Sequence, residues 1–125
     1  MTPAGDSMPI THLIEGDLLV VRLDNPTSVT LEPDFDDAIR TLLADTGARR
    51  LIVDFRDVRM FQSLGISALI QVQRHCRQQG IAMAVCGLTS DVSSVFKITG
   101  LNRLMRVFAS DSDARAGLLP PEPGP

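Results

Sequence analysis

The chain has 125 residues, of which 44% are hydrophobic and 22% are charged, and its net charge is −3 at pH 7. This length suits one compact domain with its own core, and the ordinary composition argues against a disordered regulator, a collagen-like chain and a disulfide-rich secreted peptide. Aromatic residues make up only 4%, all of them Phe, and no long run of Lys and Arg is present. Nucleic acid and large planar ligands are therefore poor candidate partners.

The two ends of the chain differ in composition from its middle. Residues 1–9 have neither the basic nor the apolar part of a signal peptide, and no stretch approaches the roughly 20 apolar residues of a membrane span. We expect a cytoplasmic protein without membrane insertion. We also expect residues 1–9 to be flexible, residues 10–118 to form one domain, and residues 119–125 to be a disordered Pro-rich tail.

The cysteines and histidines form no recognisable metal motif. Cys76 and Cys86 do not make a CxxC pair, and the chain has only two histidines. We expect no metal and no cofactor, and we expect both cysteines to be small buried hydrophobic residues.

The first half of the chain predicts a β-hairpin followed by a helix. A strand over Ile10–Ile14 and a β-rich run over Leu18–Leu23 are joined by the turn signal Glu15-Gly16-Asp17. After a loop, Pro33 opens a segment with helical spacing that ends near Gly47. The apolar positions of this helix are Phe35, Ala38, Ile39 and Leu42. The acidic residues of its first turn suit the positive end of a helix, which explains them better than a metal site does.

The second half alternates apolar strands with helices, which indicates an α/β fold. Leu51–Phe55 is a continuous apolar run, typical of a strand covered on both faces, and the helix Ser63–Gln79 and the strand Ile81–Cys86 complete a βαβ unit. The remaining predicted elements are a helix capped by Ser90 and Asp91, a strand over Leu104–Phe108 and a closing helix over Asp111–Leu118. We predict a small mixed, mostly parallel sheet with helices chiefly on one side.

Ser63 is the residue of greatest chemical interest. The sequence lacks a Walker loop, a dinucleotide fingerprint, an HExxH motif and a GxSxG elbow, so the common enzyme motifs are missing. Ser63 stands where a buried strand runs into a loop and the next helix begins, and its hydroxyl suits an N-cap. The residues alone leave open whether this serine is a structural cap or a modified side chain.

The helix after Ser63 carries more apolar residues than one core stripe needs. That stripe consists of Gly65, Leu69, Val72 and Cys76. Leu64, Ile66 and Ile70 are left over, and such extra apolar residues indicate either deeper burial or an exposed patch. We expect Ile66 and Ile70 to be substantially exposed and to form a docking surface.

The segment from about Gly16 to Ser110 resembles the STAS domain, the fold of bacterial anti-sigma factor antagonists. The resemblance rests on the strand Leu51–Phe55, on Ser63-Leu64-Gly65 at the phosphorylation motif of the family, and on the helix end Thr99-Gly100-Leu101. It implies that Ser63 is phosphorylated by an anti-sigma factor of the serine-kinase type. The unmodified protein would bind that kinase and so release the sigma factor. The chain would then be a regulatory protein and not an enzyme.

Two positions differ from the family pattern, which usually has Asp where this chain has Gln62 and Ser28. The partner-binding residues that we expect are Gln62, Leu64, Gly65, Ile66, Ser67, Ile70 and Ser28. The resemblance also allows a constitutive docking subunit of a transporter ATPase or a signalling scaffold. We expect a monomer or a weak dimer. A thiol enzyme is a third, disfavoured hypothesis, because neither cysteine lies at a helix N-terminus or beside an obvious base.

Overall fold

The computed structural model describes residues 10–25, 35–58, 61 and 63–118. The expectations for both chain ends and for Ser28 and Gln62 concern residues outside these ranges. The described strands are β1 (Ile10–Glu15), β2 (Leu18–Asn25), β3 (Arg50–Val58), β4 (Ala82–Cys86) and β5 (Arg106–Phe108). The described helices are α1 (Phe35–Thr46), α2 (Ser63–Gln79), α3 (Ser90–Thr99), α4 (Leu101–Leu104) and α5 (Asp111–Gly117).

The strands form one mixed sheet in the order β1-β2-β3-β4-β5. The β1–β2 hairpin is antiparallel, whereas β2–β3, β3–β4 and β4–β5 are parallel. Parallel neighbours need a crossover, and α1, α2 and α3–α4 supply the three crossovers. The prediction of a mixed, mostly parallel sheet is confirmed.

The two faces of the sheet bury different amounts of apolar surface. Side chains alternate along each strand, so Leu51, Val53 and Phe55 of β3 join the main core beneath α1–α4, while Ile52 points to the other face. There a smaller core lies under α5. The members of the smaller core are Leu18, Ile52, Ala84, Cys86, Ala114 and Leu118. Helices therefore lie chiefly on one side, as predicted.

β3 is the central strand. It extends from Arg50 to Val58 and is therefore longer than the predicted strand Leu51–Phe55. Its residues from Leu51 to Phe55 are all buried, because α1 and α2 cover one face and α5 covers the other. The run nevertheless includes Asp54, which is 3% exposed. A buried carboxylate in a central strand needs hydrogen-bond donors, and these are described with the site below.

The predicted strand Leu104–Phe108 is wrong in its first two residues. Gly100 has φ +79°, which ends α3 and redirects the chain into the short helix α4. Leu101 and Met105 are both buried, four residues apart, and the amide of Met105 donates to the carbonyl of Leu101 at 3.2 Å. Because this spacing is helical, Leu104 belongs to α4, and β5 begins only at Arg106. None of the helices in the described ranges combines the length and apolar character that crossing a bilayer requires.

Truncation of Leu51 should destabilise the domain strongly, because its side chain is fully buried in the main core. We expect Leu51→Ala to lower the free energy of unfolding by about 2–5 kcal/mol. Leu13→Ala is the control, since Leu13 is 50% exposed on β1, and it should change stability by about 0.5 kcal/mol or less. Urea unfolding followed by far-UV circular dichroism measures both, because the chain has no Trp or Tyr. Equal losses of unfolding free energy in Leu51→Ala and Leu13→Ala would contradict the central position of β3.

Candidate functional site

The candidate site lies at the edge of the sheet where β3 and β4 end and where α2 and α3 begin. Parallel strands end at the same edge, so the N-termini of the two following helices are neighbours there. The structure begins α2 at Ser63, as predicted, and Leu64 follows in its first turn. This places the backbone of Ser63 at the positive end of a 17-residue helix.

An aromatic cluster holds the chain immediately before Ser63. Phe61 is 5% exposed. Its ring meets Phe55 of β3 edge-on, with centroids 5.2 Å apart, and stacks on Phe96 of α3 at 6.0 Å. Phe55 and Phe96 are themselves in edge-on contact at 5.7 Å. Phe61 therefore connects the loop before α2 to the main core.

Phe61 was not singled out by the sequence analysis. The signal was available, since Phe61 is a large aromatic residue inside the short loop that separates β3 from Ser63. A large apolar side chain in a short loop usually indicates an anchor to the core.

The α3 side of the edge is fixed by Thr89. The hydroxyl of Thr89 accepts a hydrogen bond from the amide of Val92 at 3.4 Å and donates one to the carbonyl of Val58 at 3.5 Å. Thr89 thus caps α3, in place of the predicted Ser90 and Asp91, and connects α3 to the end of β3.

The faces of α2 separate a core stripe from a polar surface. Gly65, Leu69, Val72 and Cys76 are buried, which confirms the predicted core stripe. The exposed residues that line one side of the helix are Ser67, Gln71, Arg74 and Gln78. Ser67 lies one turn beyond Ser63, so these residues continue the surface that starts at the N-terminus of α2. We call this set the α2 polar stripe.

The prediction that Ile66 and Ile70 are substantially exposed is wrong. Both side chains are half-buried and pack against the main core. The reason is that α2 packs against α1 as well as against the sheet, so its buried face is wider than a single stripe. The two isoleucines border the α2 polar stripe and do not form an apolar patch.

Charge at the start of α2 differs from that of the other long helices. Its first turn has no acidic residue, whereas α1 carries Asp36 and Asp37 there and α3 carries Asp91. The partial positive charge of its first amides is therefore not offset by a carboxylate within the helix.

Asp54 organises the end of β3 on the opposite face of the sheet. Its carboxylate accepts hydrogen bonds from the amide and the Nε of Arg56, at 2.9 and 3.1 Å, and lies 3.9 Å from the Nε of Arg22. These donors satisfy a carboxylate that would otherwise be costly to bury. The hydrogen bond to Asp54 also raises the pKa of Arg56. Asp54 was not among the predicted site residues, because it lies inside a run that was interpreted as apolar throughout.

The two cysteines are buried, as predicted. Burial raises the pKa of Cys76 to about 12. Burial, and then the carboxylates of Asp54 and Asp111, raise the pKa of Cys86 to about 12 as well. Thiols in this state are poor nucleophiles at neutral pH, which argues against the thiol-enzyme hypothesis.

Comparisons with known proteins agree with this architecture. A family model for the STAS domain matches residues 9–114. An anti-sigma factor antagonist from Mycobacterium paratuberculosis is 19% identical with a TM-score of 0.76, over 94% of this chain and 98% of that one. The Bacillus cell fate determinant SpoIIAA in its phosphorylated form is 14% identical with a TM-score of 0.62, over 87% and 99%. A murine Solute Carrier 26 family anion transporter is 20% identical with a TM-score of 0.63, over 81% of this chain and 17% of that one. At these identities the likeness shows the shared fold.

The close approach of Gly87 to Asp54 gives a test of this edge of the sheet. Gly87 has φ +72°, and a Cβ there would lie 2.8 Å from the Oδ1 of Asp54. Gly87→Ala should lower the free energy of unfolding by about 2–4 kcal/mol, from backbone strain plus overpacking. Gly47→Ala is the matched control, because Gly47 has φ +68° and open space around it, and strain alone should cost about 1–2 kcal/mol. Equal losses in urea unfolding would show that Asp54 does not restrict this position.

Proposed function

Because the chain belongs to the STAS domain family, we propose that it is an anti-sigma factor antagonist that binds an anti-sigma factor of the serine-kinase type. Phosphorylation of Ser63 by that kinase switches the binding off. The carrying observation is that α2 begins at Ser63, directly after a loop that Phe61 anchors to the core. Two of the solved structures that share the fold, an anti-sigma factor antagonist and phosphorylated SpoIIAA, support the same role.

The electrostatics of α2 favour a switch that acts on binding and not on folding. A phosphoserine adds a charge of about −1.5 to −2, and at a helix N-terminus it is stabilising by about 0.3–1 kcal/mol. The first turn of α2 has no carboxylate that would repel it. The same charge buried without a partner in an interface costs about 2–5 kcal/mol. Modification would therefore dissociate the complex and leave the domain folded.

We place the docking surface on the N-terminal half of α2, with Ser63 at its start. Leu64 and Gly65 complete the first turn, Ser67 is exposed, and Ile66 and Ile70 border it as half-buried side chains. Such a surface offers a polar centre with apolar margins. In this proposal Gln62 and Ser28 contact the same partner.

A constitutive docking role is the second candidate. The fold match to an anion transporter, of which it covers 17%, favours it, because a domain of this shape occurs there as a small part of a large chain. In that role Ser63 would be a structural residue only. The Asp that the family usually has before the serine would then not be needed for recognition by a kinase, which agrees with Gln62 at that position.

Phosphate transfer to Ser63 tests the switch directly. The natural protein is incubated with anti-sigma serine kinases and ATP, and intact mass is measured. We expect one added phosphoryl group, none in Ser63→Ala, and normal addition in Ser112→Ala. Ser112 is the matched control because it is an exposed serine in the first turn of another helix, α5, away from the proposed docking surface. Modification of Ser112→Ala but not Ser63→Ala supports the proposal, and the reverse pattern contradicts it.

The variant Gln62→Asp separates the two candidate functions. If neither the natural chain nor Gln62→Asp accepts phosphate while both bind the kinase equally, Ser63 is silent and the constitutive role replaces the switch. If only Gln62→Asp accepts phosphate, the residue before the serine controls recognition by the kinase.

A charge introduced on the α2 polar stripe should weaken binding of the partner more strongly the closer it lies to Ser63. We expect Ser67→Lys to lower affinity for the partner kinase about tenfold or more, since a charge at the centre of an interface costs at least about 1.4 kcal/mol. Gln78→Lys is the control, because Gln78 is also exposed but lies near the other end of α2. Calorimetric titration measures both, and equal affinities would move the docking surface away from the start of α2.

A further inference from the structure

α5 contributes few buried apolar side chains to the smaller core. Within the helix only Ala114 is buried, and Leu118 follows it at 2% exposure. The helix has seven residues, a length that is not stable on its own in water. Among the described helices it is the one on this face of the sheet, so no neighbouring helix in those ranges supports it.

Polar contacts fix α5 to the hairpin and to the start of β3. Arg115 forms an ion pair with Glu15, and Arg50 donates to the carbonyl of Leu118 at 3.3 Å. Arg50 also donates to Asp17 at 2.9 Å, so the end of α5 and the β1–β2 turn share one guanidinium. Arg115 and Arg50 are 31% and 16% exposed. Partly exposed ion pairs of this kind contribute little to stability and weaken in salt.

Four of the six buried side chains of the smaller core belong to the sheet, on the same face as the buried Asp54. Leu18, Ile52, Ala84 and Cys86 form the floor of this core, and all four are buried. The main core lies on the other side of the sheet and contains none of these side chains. Release of α5 would therefore leave the packing of α1–α4 intact.

We propose that α5 is a detachable cover, which opens while the rest of the domain stays folded and then exposes the apolar floor of the smaller core. Local opening of this kind is expected for an element with few buried apolar contacts and partly exposed polar ties. The opening takes place on the face of the sheet opposite the main core, and it is independent of the switch proposed above.

Cys86 reports the opening, because its thiol lies in the floor of the smaller core and is fully buried there. Cys76 is the internal reference, since it belongs to α2 and to the main core. Burial raises the pKa of both thiols, so both are protected while they remain covered. A thiol reagent that modifies Cys86 without global unfolding must enter while α5 is displaced.

The experiment is alkylation of the full chain by iodoacetamide under native conditions, with peptide mass mapping to follow each cysteine. Leu118→Ala should raise the Cys86 rate about 30-fold or more, and the Cys76 rate by less than about threefold. Arg115→Gln, a milder change, should raise the Cys86 rate about two- to fivefold, while Arg74→Gln on α2 should not change it. Circular dichroism confirms that each variant is folded.

Leu43→Ala separates local from global opening. Leu43 is buried in the main core on the opposite face, so a detachable α5 predicts a Cys86 rate close to that of the natural chain. If Leu43→Ala accelerates Cys86 as much as Leu118→Ala does, or if Leu118→Ala accelerates both cysteines equally, exposure requires global unfolding and the proposal is overturned. If Leu118→Ala does not fold, the Arg115→Gln and Arg74→Gln pair decides, and equal Cys86 rates in the two overturn it.

Discussion

Burial of β3 on both faces is the constraint that organises this domain. Residues that alternate along one strand must fill two separate cores, with Val53 and Phe55 on the side of α1–α4 and Ile52 on the side of α5. A strand enclosed in this way needs parallel neighbours whose crossovers cover it. The hairpin at one side and β4 at the other meet that need, and the crossover helices bring the N-termini of α2 and α3 to one edge.

The edge of the sheet that carries the candidate site depends on this core because an aromatic contact connects them. Phe55 belongs to β3, Phe96 to α3 and Phe61 to the loop before Ser63, so one cluster joins the central strand to both helix starts. Thr89 adds a polar connection from α3 to the end of β3. A partner that docks at this edge therefore meets a backbone whose position is set by the interior.

Much of the fold was predictable from the sequence because apolar periodicity reports burial, and the start of α2 at Ser63 was predicted from a serine suited to an N-cap between a strand and a helix. The exposure of Ile66 and Ile70 was not predictable in the same way, since it depends on how closely α1 lies beside α2. Leu101 and Met105 satisfy a helical spacing that is too short to recognise in isolation. The burial of Asp54 was not predictable from its apolar neighbours. It depends on donors from Arg56 and Arg22, which only the folded sheet brings to the carboxylate.

The aromatic cluster also gives this protein an unusual spectroscopic property. The chain has five Phe and neither Trp nor Tyr, and three of those five rings are in mutual contact beside Ser63. Aromatic ring currents shift the resonances of methyl groups that lie close to the rings, and the three rings belong to the main core, where most side chains carry methyl groups. Three of the five Phe rings that can produce such shifts lie in the cluster that includes the loop before Ser63. Proton nuclear magnetic resonance would therefore register a displacement of the loop before α2 with little aromatic background from the remainder of the domain.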